Sequence, residues 1–457
     1  MSSIADFLNK NGKNWENSLI DFVKIPSISC QTEHMDDCLR AADWLQDYFR
    51  KIGFTPKLYP LSTGHPIVYA ESPKIADAPT LLIYGHYDVQ PVDPLNLWTE
   101  CSPFEPVIKE GIMYGRGTSD DKGPLFSHIA AAEFWMLQGD LRPKLNVKFL
   151  LEGDEEGSNS ATEIFVRENA DLLACDYLAL SDSTQFAPGF PSITSGLRGI
   201  AAYELILRGP IQDLHSGMFG GAITNPCNAL VEILGKIHDE NYRIAIPGFY
   251  DEITRLTQED QEQLRILPFD ENSFYDSVGV SCGLGEKDIS VLEQISTRPT
   301  FDINGITGGY QGEGGKTIIP AWASAKFSFR LVPNQDPDEL TVSLKRWLEE
   351  QLPPGITMEL IIEGLSAGML VDLSRPCMKA AAKSMEFGFG RSPVFVREGG
   401  SIPIVSTFSS ALTPNVMMLA YTQKTDNAHG PNEHFSLSDF TRGIKSNVKL
   451  WQELAVL

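Results

Sequence analysis

Apolar residues in the first 180 positions follow two different spacings. Positions three or four residues apart predict an amphipathic helix at 36–52, and further helical stretches are predicted at 124–137 and 162–169. Short continuous apolar runs, typical of strands buried on both faces, lie at 67–70, 81–84, 147–151 and 177–180. Strands that alternate with helices predict an α/β fold in which helices cover both faces of the sheet.

The pattern changes after Gly196. Apolar and polar residues then alternate at 203–207 and 326–331, as they do in half-exposed antiparallel strands. Helical stretches, which together with these strands predict an α+β module, lie at 226–240 and 337–352.

The α/β style returns from about Ser374. Two helices and two strands are predicted at 376–387, 394–397, 416–421 and 436–454. The simplest interpretation is an α/β domain formed by residues 1–197 and 371–457, interrupted by an inserted α+β module at 198–370. At 457 residues, the chain is long enough for such a division.

Composition and charge exclude several classes of protein. The chain has 37 Lys and Arg against 60 Asp and Glu, a formal net charge of −23 that would repel a phosphate backbone, so we expect no nucleic-acid partner. No apolar run approaches the roughly 20 residues of a membrane span, and we expect no membrane association.

The start of the chain and its cysteines predict a cytoplasmic protein. Residues 1–19 lack the long apolar segment of a secretory signal. The seven cysteines are widely spaced and form no Cys-x-x-Cys pair, which favours reduced thiols over disulfides or thiolate metal sites. We expect them to be small buried core residues.

Candidate chemistry lies where predicted strands end. The strand at 81–84 leads directly to His86, with Asp88 two positions further on. Ligands of open α/β sheets bind at the carboxyl ends of strands, and a metal-bound imidazole usually has its second nitrogen held by a carboxylate. A lone histidine here is more often structural, but Asp88 favours a metal ligand.

Acidic residues follow the neighbouring predicted elements. Adjacent aspartates, Asp120 and Asp121, open the helix that starts near Pro124, where acids could also serve only as helix caps. The strand at 147–151 is followed by four carboxylates within 152–156, and the strand at 177–180 by Asp182. Crowded carboxylates at strand ends need cations to neutralise them. Together these sites predict two divalent metal ions with nitrogen and oxygen ligands, most simply Zn²⁺, with Mn²⁺ or Co²⁺ as alternatives.

These segments resemble the co-catalytic zinc aminopeptidase-like clan, and specifically the carnosinase-type cytosolic dipeptidases, which share a superfamily with aminoacylases and acetylornithine deacetylases. The resemblance spans nearly the whole chain. Further matching segments are Asp213–Gly217 with Gly220–Gly221, Gly315–Pro320, Phe327–Pro333, Arg397–Pro403 and Ala428–Glu433. The fold it implies is a zinc-aminopeptidase-like catalytic domain, a mixed sheet covered by helices, with an inserted α+β lid and dimerisation domain.

The resemblance also implies metal-binding roles. It makes His86 and Asp182 ligands of one ion, Glu156 and His429 ligands of the other, and Asp120 the bridge, followed by a cis peptide bond. Adjacency alone cannot say which of Glu155 and Glu156 binds metal. His434 competes with His429, but the family histidine precedes a Gly-Pro-Asn-Glu run, so we predict that His434 is a surface residue.

The resemblance further implies catalytic and substrate-binding roles. Glu155 becomes the general base and Asp88 the carboxylate that orients His86. His215 from the lid of the neighbouring subunit becomes the oxyanion donor, which implies a homodimer. The C-terminal carboxylate of the substrate would be bound by Arg330 with Thr317 and Ser401, and its free amine by Glu398.

The predicted function is metal-dependent hydrolysis of the amide bond in dipeptides or short peptides by a zinc-dependent peptidase of dipeptidase or carboxypeptidase type. Two alternatives remain at this point. One is an N-acyl amino acid deacylase or desuccinylase of the same superfamily, although Glu398 favours a substrate with a free amine. The other is a catalytically silent metal-binding scaffold, which retention of Glu155 and all five ligands disfavours.

Overall fold

A computed structural model describes residues 4–157, 160–253, 256–400 and 402–457. The chain divides into two compact units. The first consists of Met1–Ser195, Val371–Val396 and Thr407–Leu457, and the second of Gly196–Leu370 and Arg397–Ser406. Among the described residues, no helix is both long and apolar enough to cross a membrane.

The α-helices of the described residues occur throughout both units. They are α1 (Ile4–Val23), α2 (Met35–Lys51), α3 (Lys122–Leu137), α4 (Ala161–Glu168), α5 (Ala170–Leu173), α6 (Ser216–Phe219), α7 (Pro226–Gly235), α8 (Gln258–Ile266), α9 (Glu271–Ser277), α10 (Val291–Ser296), α11 (Pro337–Gln351), α12 (Pro376–Phe389), α13 (Pro403–Ala411) and α14 (Leu437–Leu454). Short 3₁₀ turns lie at Thr32–His34, Leu95–Leu97 and Gly139–Leu141.

The strands form one large sheet and several smaller ones. They are β1 (Thr55–Tyr59), β2 (Ile67–Glu71), β3 (Thr80–His86), β4 (Val107–Lys109), β5 (Ile112–Tyr114), β6 (Asn146–Glu152), β7 (Tyr177–Leu180), β8 (Ser192–Leu197), β9 (Gly199–Arg208), β10 (Leu214–His215), β11 (Thr300–Gly308), β12 (Ile318–Ile319), β13 (Trp322–Leu331), β14 (Thr357–Ser366), β15 (Met369–Leu370), β16 (Val394–Glu398), β17 (Val416–Leu419) and β18 (His434–Ser436).

The large sheet has the order β1-β2-β6-β3-β7-β17-β8 in the first unit. Its central pairs β6–β3, β3–β7 and β7–β17 are parallel, and the outer pairs are antiparallel. Nearly every residue of these central strands is buried, as the continuous apolar runs predicted. The mixed α/β fold expected from the sequence is confirmed, and the parallel strands bring their carboxyl ends to one edge of the sheet.

The helices of the first unit include one that the apolar pattern did not reveal. α3 packs on α1 and α14, and α14 also packs on α12. α1 is rich in Asn and Lys, but it buries Trp15, Leu19, Phe22 and Val23 on one side. Its end is fixed by the fully buried Lys122, whose ammonium donates to the carbonyl oxygens of residues 22 and 25 at 3.2 and 2.7 Å.

The second unit has a four-stranded antiparallel sheet of order β11-β13-β9-β14. One face of β9 is buried and the other half-exposed, so the predicted alternation is confirmed. α7 and α11 pack on this sheet, and each starts with a side-chain cap followed by proline: Asn225 accepts from Cys227 N, and Asp336 from Asp338 N.

Two expectations need correction. The helix predicted at 226–240 ends at Gly235, and a turn follows in which Asp239 accepts from the backbone N–H groups of residues 241 and 243. The cysteines are all free, but they are not uniformly buried: Cys38 and Cys377 are buried, whereas Cys30 and Cys282 are exposed. Both exposed cysteines lie outside regular helices and strands, where no apolar pattern marks burial.

Candidate metal centre

The candidate residues of the first unit gather at the edge where the parallel strands end. His86 is the last residue of β3, Glu155 and Glu156 follow the end of β6, and Asp182 follows β7. Asp120 lies two residues before α3. Because these strands are parallel and adjacent, side chains that follow them meet at one edge of the sheet.

Two potential metal-binding groups occur among the described residues, and they share Asp120. One is His86, Asp120 and Asp182, and the other is Asp120, Glu156 and His429; within each group the ligand atoms lie within 4.8 Å of one another. The Nε2 atoms of His86 and His429 lie 3.0 and 2.9 Å from the two different carboxylate oxygens of Asp120. The structure thus brings together all five residues predicted as ligands.

Asp88 connects the histidine to the acidic loop. Its carboxylate lies 3.3 Å from His86 Nδ1 and accepts hydrogen bonds from the backbone N–H groups of Glu155 and Glu156 at 3.3 and 3.1 Å. Asp88 is fully buried. One carboxylate therefore orients the imidazole and also fixes the loop that carries the candidate base.

The electrostatics of the centre reflect crowded carboxylates. Burial lowers the pKa of His86, but Asp120 and Asp88 outweigh it and raise that pKa well above its ordinary value. The hydrogen bond to Asp120, together with Glu156, raises the pKa of His429 to about 10. A protonated imidazole on each histidine therefore supplies part of the positive charge that the neighbouring carboxylates require.

Glu155 differs from its neighbour. Burial raises the pKa of Glu155 well above its usual range, and Asp182 and Glu156 raise it further, although His86 opposes them. Glu155 belongs to neither of the two groups. A carboxylate with a raised pKa beside a metal site is suited to accept a proton.

The donor chemistry fits two divalent ions. Each group combines imidazole nitrogen with carboxylate oxygen and contains no thiolate, a set suited to zinc, manganese or cobalt. Glu156 Oε1 is buried without a hydrogen-bond donor, although it lies 3.2 Å from His429 Nε2, so one lone pair of this carboxylate is available for a cation. The peptide bond after Asp120 is cis, as the resemblance implied.

His434 lies apart from both groups but is not the surface residue that we predicted. It is half-buried on β18, where its ring contacts Tyr114, and its Nδ1 lies 3.0 Å from the carbonyl oxygen of Asn432. Pairing of β18 with β5 covers the ring. This long-range pairing has no local sequence signal.

Several residues that contact the centre were not singled out from the sequence. Gln90 donates to Glu156 Oε2 at 2.7 Å, and Tyr84 donates to Glu152, whose pKa burial raises to about 7. Arg116 and Glu433 form a buried pair at 2.8 Å behind Asp120. All lie within or beside the matched motifs, but no spacing shows which side chains they meet.

The predicted substrate residues that the structure describes lie in the second unit. His215 pairs with Ile318 across β10 and β12, and Ser216 N donates to Thr317 O at 3.2 Å. Arg330 lies near the end of β13 and Glu398 at the end of β16. Ser401 lies outside the described residues.

A second arginine, not identified from the sequence, contacts the Glu398 segment. Arg198 donates from Nε to Gly399 O at 3.1 Å and from its backbone N–H to Glu398 O at 3.3 Å. Burial and the charge of Arg330 lower the pKa of Arg198 to about 10. Arg198 and Arg330 therefore lie close enough to interact, and the carboxylate of Asp302 acts on both. Guanidinium groups suit a carboxylate ligand.

Comparison with known proteins agrees with this geometry. The model of peptidase family M20/M25/M40 matches residues 82–453. The Cys-Gly metallodipeptidase DUG1 of Saccharomyces cerevisiae is 32% identical over 445 residues, which cover 93% of this chain and 92% of the yeast protein. The Beta-Ala-His dipeptidase of Homo sapiens is 30% identical over 398 residues, which cover 86% of this chain and 78% of the human protein.

A solved structure agrees along almost the whole chain. The M20 family metallo-carboxypeptidase Sso-CP2 from Sulfolobus solfataricus superposes with a TM-score of 0.86 and 32% identity, and the match covers 97% of this chain and 99% of that protein. The family model covers well over half of the chain, and its metallopeptidase relatives share the full architecture. The chain therefore belongs to peptidase family M20/M25/M40 and is a metallopeptidase.

Proposed function

We propose that this enzyme hydrolyses the amide bond of dipeptides or short peptides that have a free N-terminal amine and a free C-terminal carboxylate. The observation that carries the proposal is that two histidine-containing groups share Asp120, while Glu155 lies beside them and belongs to neither. The names of the yeast and human relatives, a Cys-Gly and a Beta-Ala-His dipeptidase, support this substrate class.

We assign two divalent metal ions per subunit to this centre. Zn²⁺ is the preferred ion, and Mn²⁺ or Co²⁺ are the alternatives. His86 and Asp182 would hold one ion, Glu156 and His429 the other, and Asp120 both. When bound, such a pair of ions lowers the pKa of a shared water towards neutrality and polarises the scissile carbonyl.

Glu155 performs the proton transfers in this mechanism. Its carboxylate takes a proton from the attacking water as the new C–O bond forms, and gives it to the leaving amine nitrogen when the C–N bond breaks. Asp88 keeps Glu155 in place through the backbone N–H of that residue. Fixed placement of the base avoids reorganisation during the reaction.

His215 is the proposed donor to the oxyanion. Its Nδ1 accepts a hydrogen bond from Gly217 N at 3.0 Å, so the neutral ring carries its proton on Nε2. The ring is exposed, and Nε2–H can therefore donate to the negative charge that develops on the carbonyl oxygen.

Recognition of the two substrate termini is assigned to the second unit. Arg330, with Thr317 and Ser401, would bind the C-terminal carboxylate, and Glu398 the free α-amine. A deacylase, whose substrates have a neutral acylated nitrogen, would gain nothing from Glu398.

A substrate panel tests this assignment. Metal-free protein reloaded with Zn²⁺, Mn²⁺ or Co²⁺ should hydrolyse a free dipeptide faster than its N-acetylated and C-amidated forms, by about 10²-fold, because each blocked form leaves a charged partner unpaired. Glu398→Gln should reduce discrimination against the acetylated form and leave discrimination against the amide unchanged. Faster turnover of the acetylated form by the unaltered enzyme would instead establish the deacylase.

We further propose a cytoplasmic homodimer that associates through the lid domain, with His215 completing the site of the partner subunit. The family resemblance supports it, as does the placement of His215 in a different compact unit from every proposed metal ligand. Free cysteines are compatible with a reducing compartment. Sedimentation and cell fractionation test the two parts separately.

A further inference from the structure

The carboxylate of Glu433 is fully buried and binds the loop that leads to Asp120. Glu433 Oε1 accepts from Ser119 N, Ser119 Oγ and Asp120 N at 2.8, 2.9 and 3.1 Å. Glu433 Oε2 accepts from Gly117 N and Arg116 Nη1, both at 2.8 Å. Every hydrogen bond that this carboxylate accepts from the described part of the chain therefore fixes residues 116–120.

Arg116 extends this network to a second ligand. It is 1% exposed, and its Nη2 donates to the carbonyl oxygens of His429 and Pro91 at 3.1 and 2.9 Å. The ring of Trp98 lies 5.4 Å from its guanidinium carbon. One guanidinium thus connects the Asp120 loop to the backbone of His429.

His429 depends on such support more than the other histidine does. Its φ of 63° lies in the left-handed region, which a non-glycine residue adopts at some cost, and Arg116 holds its carbonyl oxygen in that conformation. His86, in contrast, is the end of strand β3 and is fixed by the sheet, with Asp182 two residues beyond the end of β7. The two groups are therefore supported unequally.

The ionic character of the network matters for its strength. Hydrogen bonds between ionised partners are roughly twice as strong as neutral ones, and a buried charge left without its partner is costly. An amide at position 433 would present N–H donors to backbone N–H groups. Glu433→Gln therefore breaks the network although it preserves the size of the side chain.

We propose that Glu433 and Arg116 are positioning residues that set the affinity of the Asp120–Glu156–His429 group for its metal ion. The His86–Asp120–Asp182 group, which they reach only through Asp120, is affected less. The proposal rests on the two-ion assignment made above. Neither residue belongs to either metal-binding group. Glu433 acts through the backbone N–H of Asp120, and Arg116 through the carbonyl oxygen of His429. Replacement of comparable outer partners of metal ligands weakens metal binding by about 10–100-fold.

Metal titration of the full-length protein tests the proposal. Metal-free wild type, Glu433→Gln and Arg116→Lys are titrated with Zn²⁺ against a competing chelator, and with Co²⁺ by absorption spectroscopy. We expect the wild type to bind two ions in two steps. In Glu433→Gln, the affinity for the second ion should fall at least about 10-fold, and the affinity for the first ion should stay within about threefold of the wild-type value. Arg116→Lys keeps the positive charge but loses the planar guanidinium with its several donors. Its affinity for the second ion should therefore fall less than that of Glu433→Gln.

Asn432→Gly is the matched control. Asn432 lies in the same segment with a φ of 59°, and its side chain binds residues 97–100, not the Asp120 loop. Glycine accepts that φ, so both metal steps should remain as in the wild type. Excess metal should restore kcat in Glu433→Gln, whereas a merely structural defect would not respond to metal.

The outcomes separate this proposal from the function itself. Equal weakening of both steps in Glu433→Gln and Arg116→Lys, or no weakening of either, would overturn the positioning role. A wild type that binds fewer than two ions would overturn the two-ion assignment instead. If Glu433→Gln fails to fold, Arg116→Lys still decides, since it retains the buried positive charge.

Discussion

Glu155 and Glu156 are adjacent in the chain but meet different partners. The Oε1 atom of Glu156 lies 3.2 Å from His429 Nε2, and its Oε2 accepts from Gln90. Glu155 joins neither metal group, and its pKa is raised well above the usual range, first by burial. These different surroundings give a physical reason to propose Glu156 as a metal ligand and Glu155 as the base, which their adjacency in the chain cannot supply.

Glu155→Gln should retain both ions and lose most turnover, because the amide cannot accept a proton while the ligands stay in place. We expect kcat to fall by at least about 10²–10⁴-fold. Steady-state kinetics with metal analysis on the same sample measures this, with the exposed Glu168→Gln of helix α4 as a control of unchanged activity. Near-wild-type kcat in metal-replete Glu155→Gln would refute the assignment.

His429→Ala should lower occupancy of one site, because it removes a nitrogen ligand from the Asp120–Glu156–His429 group. His434→Ala provides the comparison, since that ring contacts Tyr114 and belongs to neither group. Metal content after gel filtration should fall towards one ion per subunit in the first variant and stay at two in the second. The reverse result would transfer the ligand role to His434.

Strand β3 and helix α3 meet so closely that their contact constrains the centre. A Cβ added at Gly85 would lie 2.8 Å from Asp121 Oδ2 and 3.0 Å from Leu125 Cδ1. Asp121 in turn accepts from His86 N at 3.3 Å. The position of the Asp120 loop relative to the end of the strand therefore depends on a glycine at position 85.

Gly85→Ala should destabilise the protein by about 1–3 kcal/mol through overpacking, and should also weaken metal binding because the Asp120 loop must move. Gly12→Ala is the control: it lies within α1 with open space around it, and should stabilise by up to about 1 kcal/mol. Denaturant unfolding and metal titration measure both variants. Unchanged stability and metal affinity in Gly85→Ala would show that α3 can shift without cost.

The two compact units carry different parts of the proposed chemistry. Every proposed metal ligand and Glu155 lie in the first unit, whereas His215, Thr317, Arg330 and Glu398 lie in the second. Residues 397–406 belong to the second unit, although the sequence pattern placed them with the α/β domain. This placement groups Glu398 with Arg330 and Arg198.

Subunit mixing tests whether His215 acts across a homodimer. Inactive His215→Ala and inactive Glu155→Ala subunits, co-refolded, should form hybrids in which one site has a wild-type base and receives a wild-type histidine from its neighbour. The recovered activity should be proportional to the fraction of sites that are complete in this way. Hybrids that form but stay inactive, or a fully active monomer at assay concentration, would exclude the shared site.

Local sequence determined the elements and the chemistry at their ends. Continuous apolar runs marked the parallel strands, because strands buried on both faces need apolar residues at every position, and His86 and Asp182 were identified because they follow such runs. The motif resemblance added His429, which no periodicity marks. Helix α1 was not predicted, because Asn and Lys residues lie among its apolar residues and obscure their spacing.

Only the tertiary structure decided which distant groups meet. Glu433 binds Gly117 across 316 positions, and β18 pairs with β5 to cover His434, and neither contact leaves a local pattern. The spacing of apolar residues predicts which side chains are buried, because burial depends mainly on the polarity of the side chain itself. The partner of a buried polar group depends on where the rest of the chain folds, so the support of Asp120 and His429 became visible only in three dimensions.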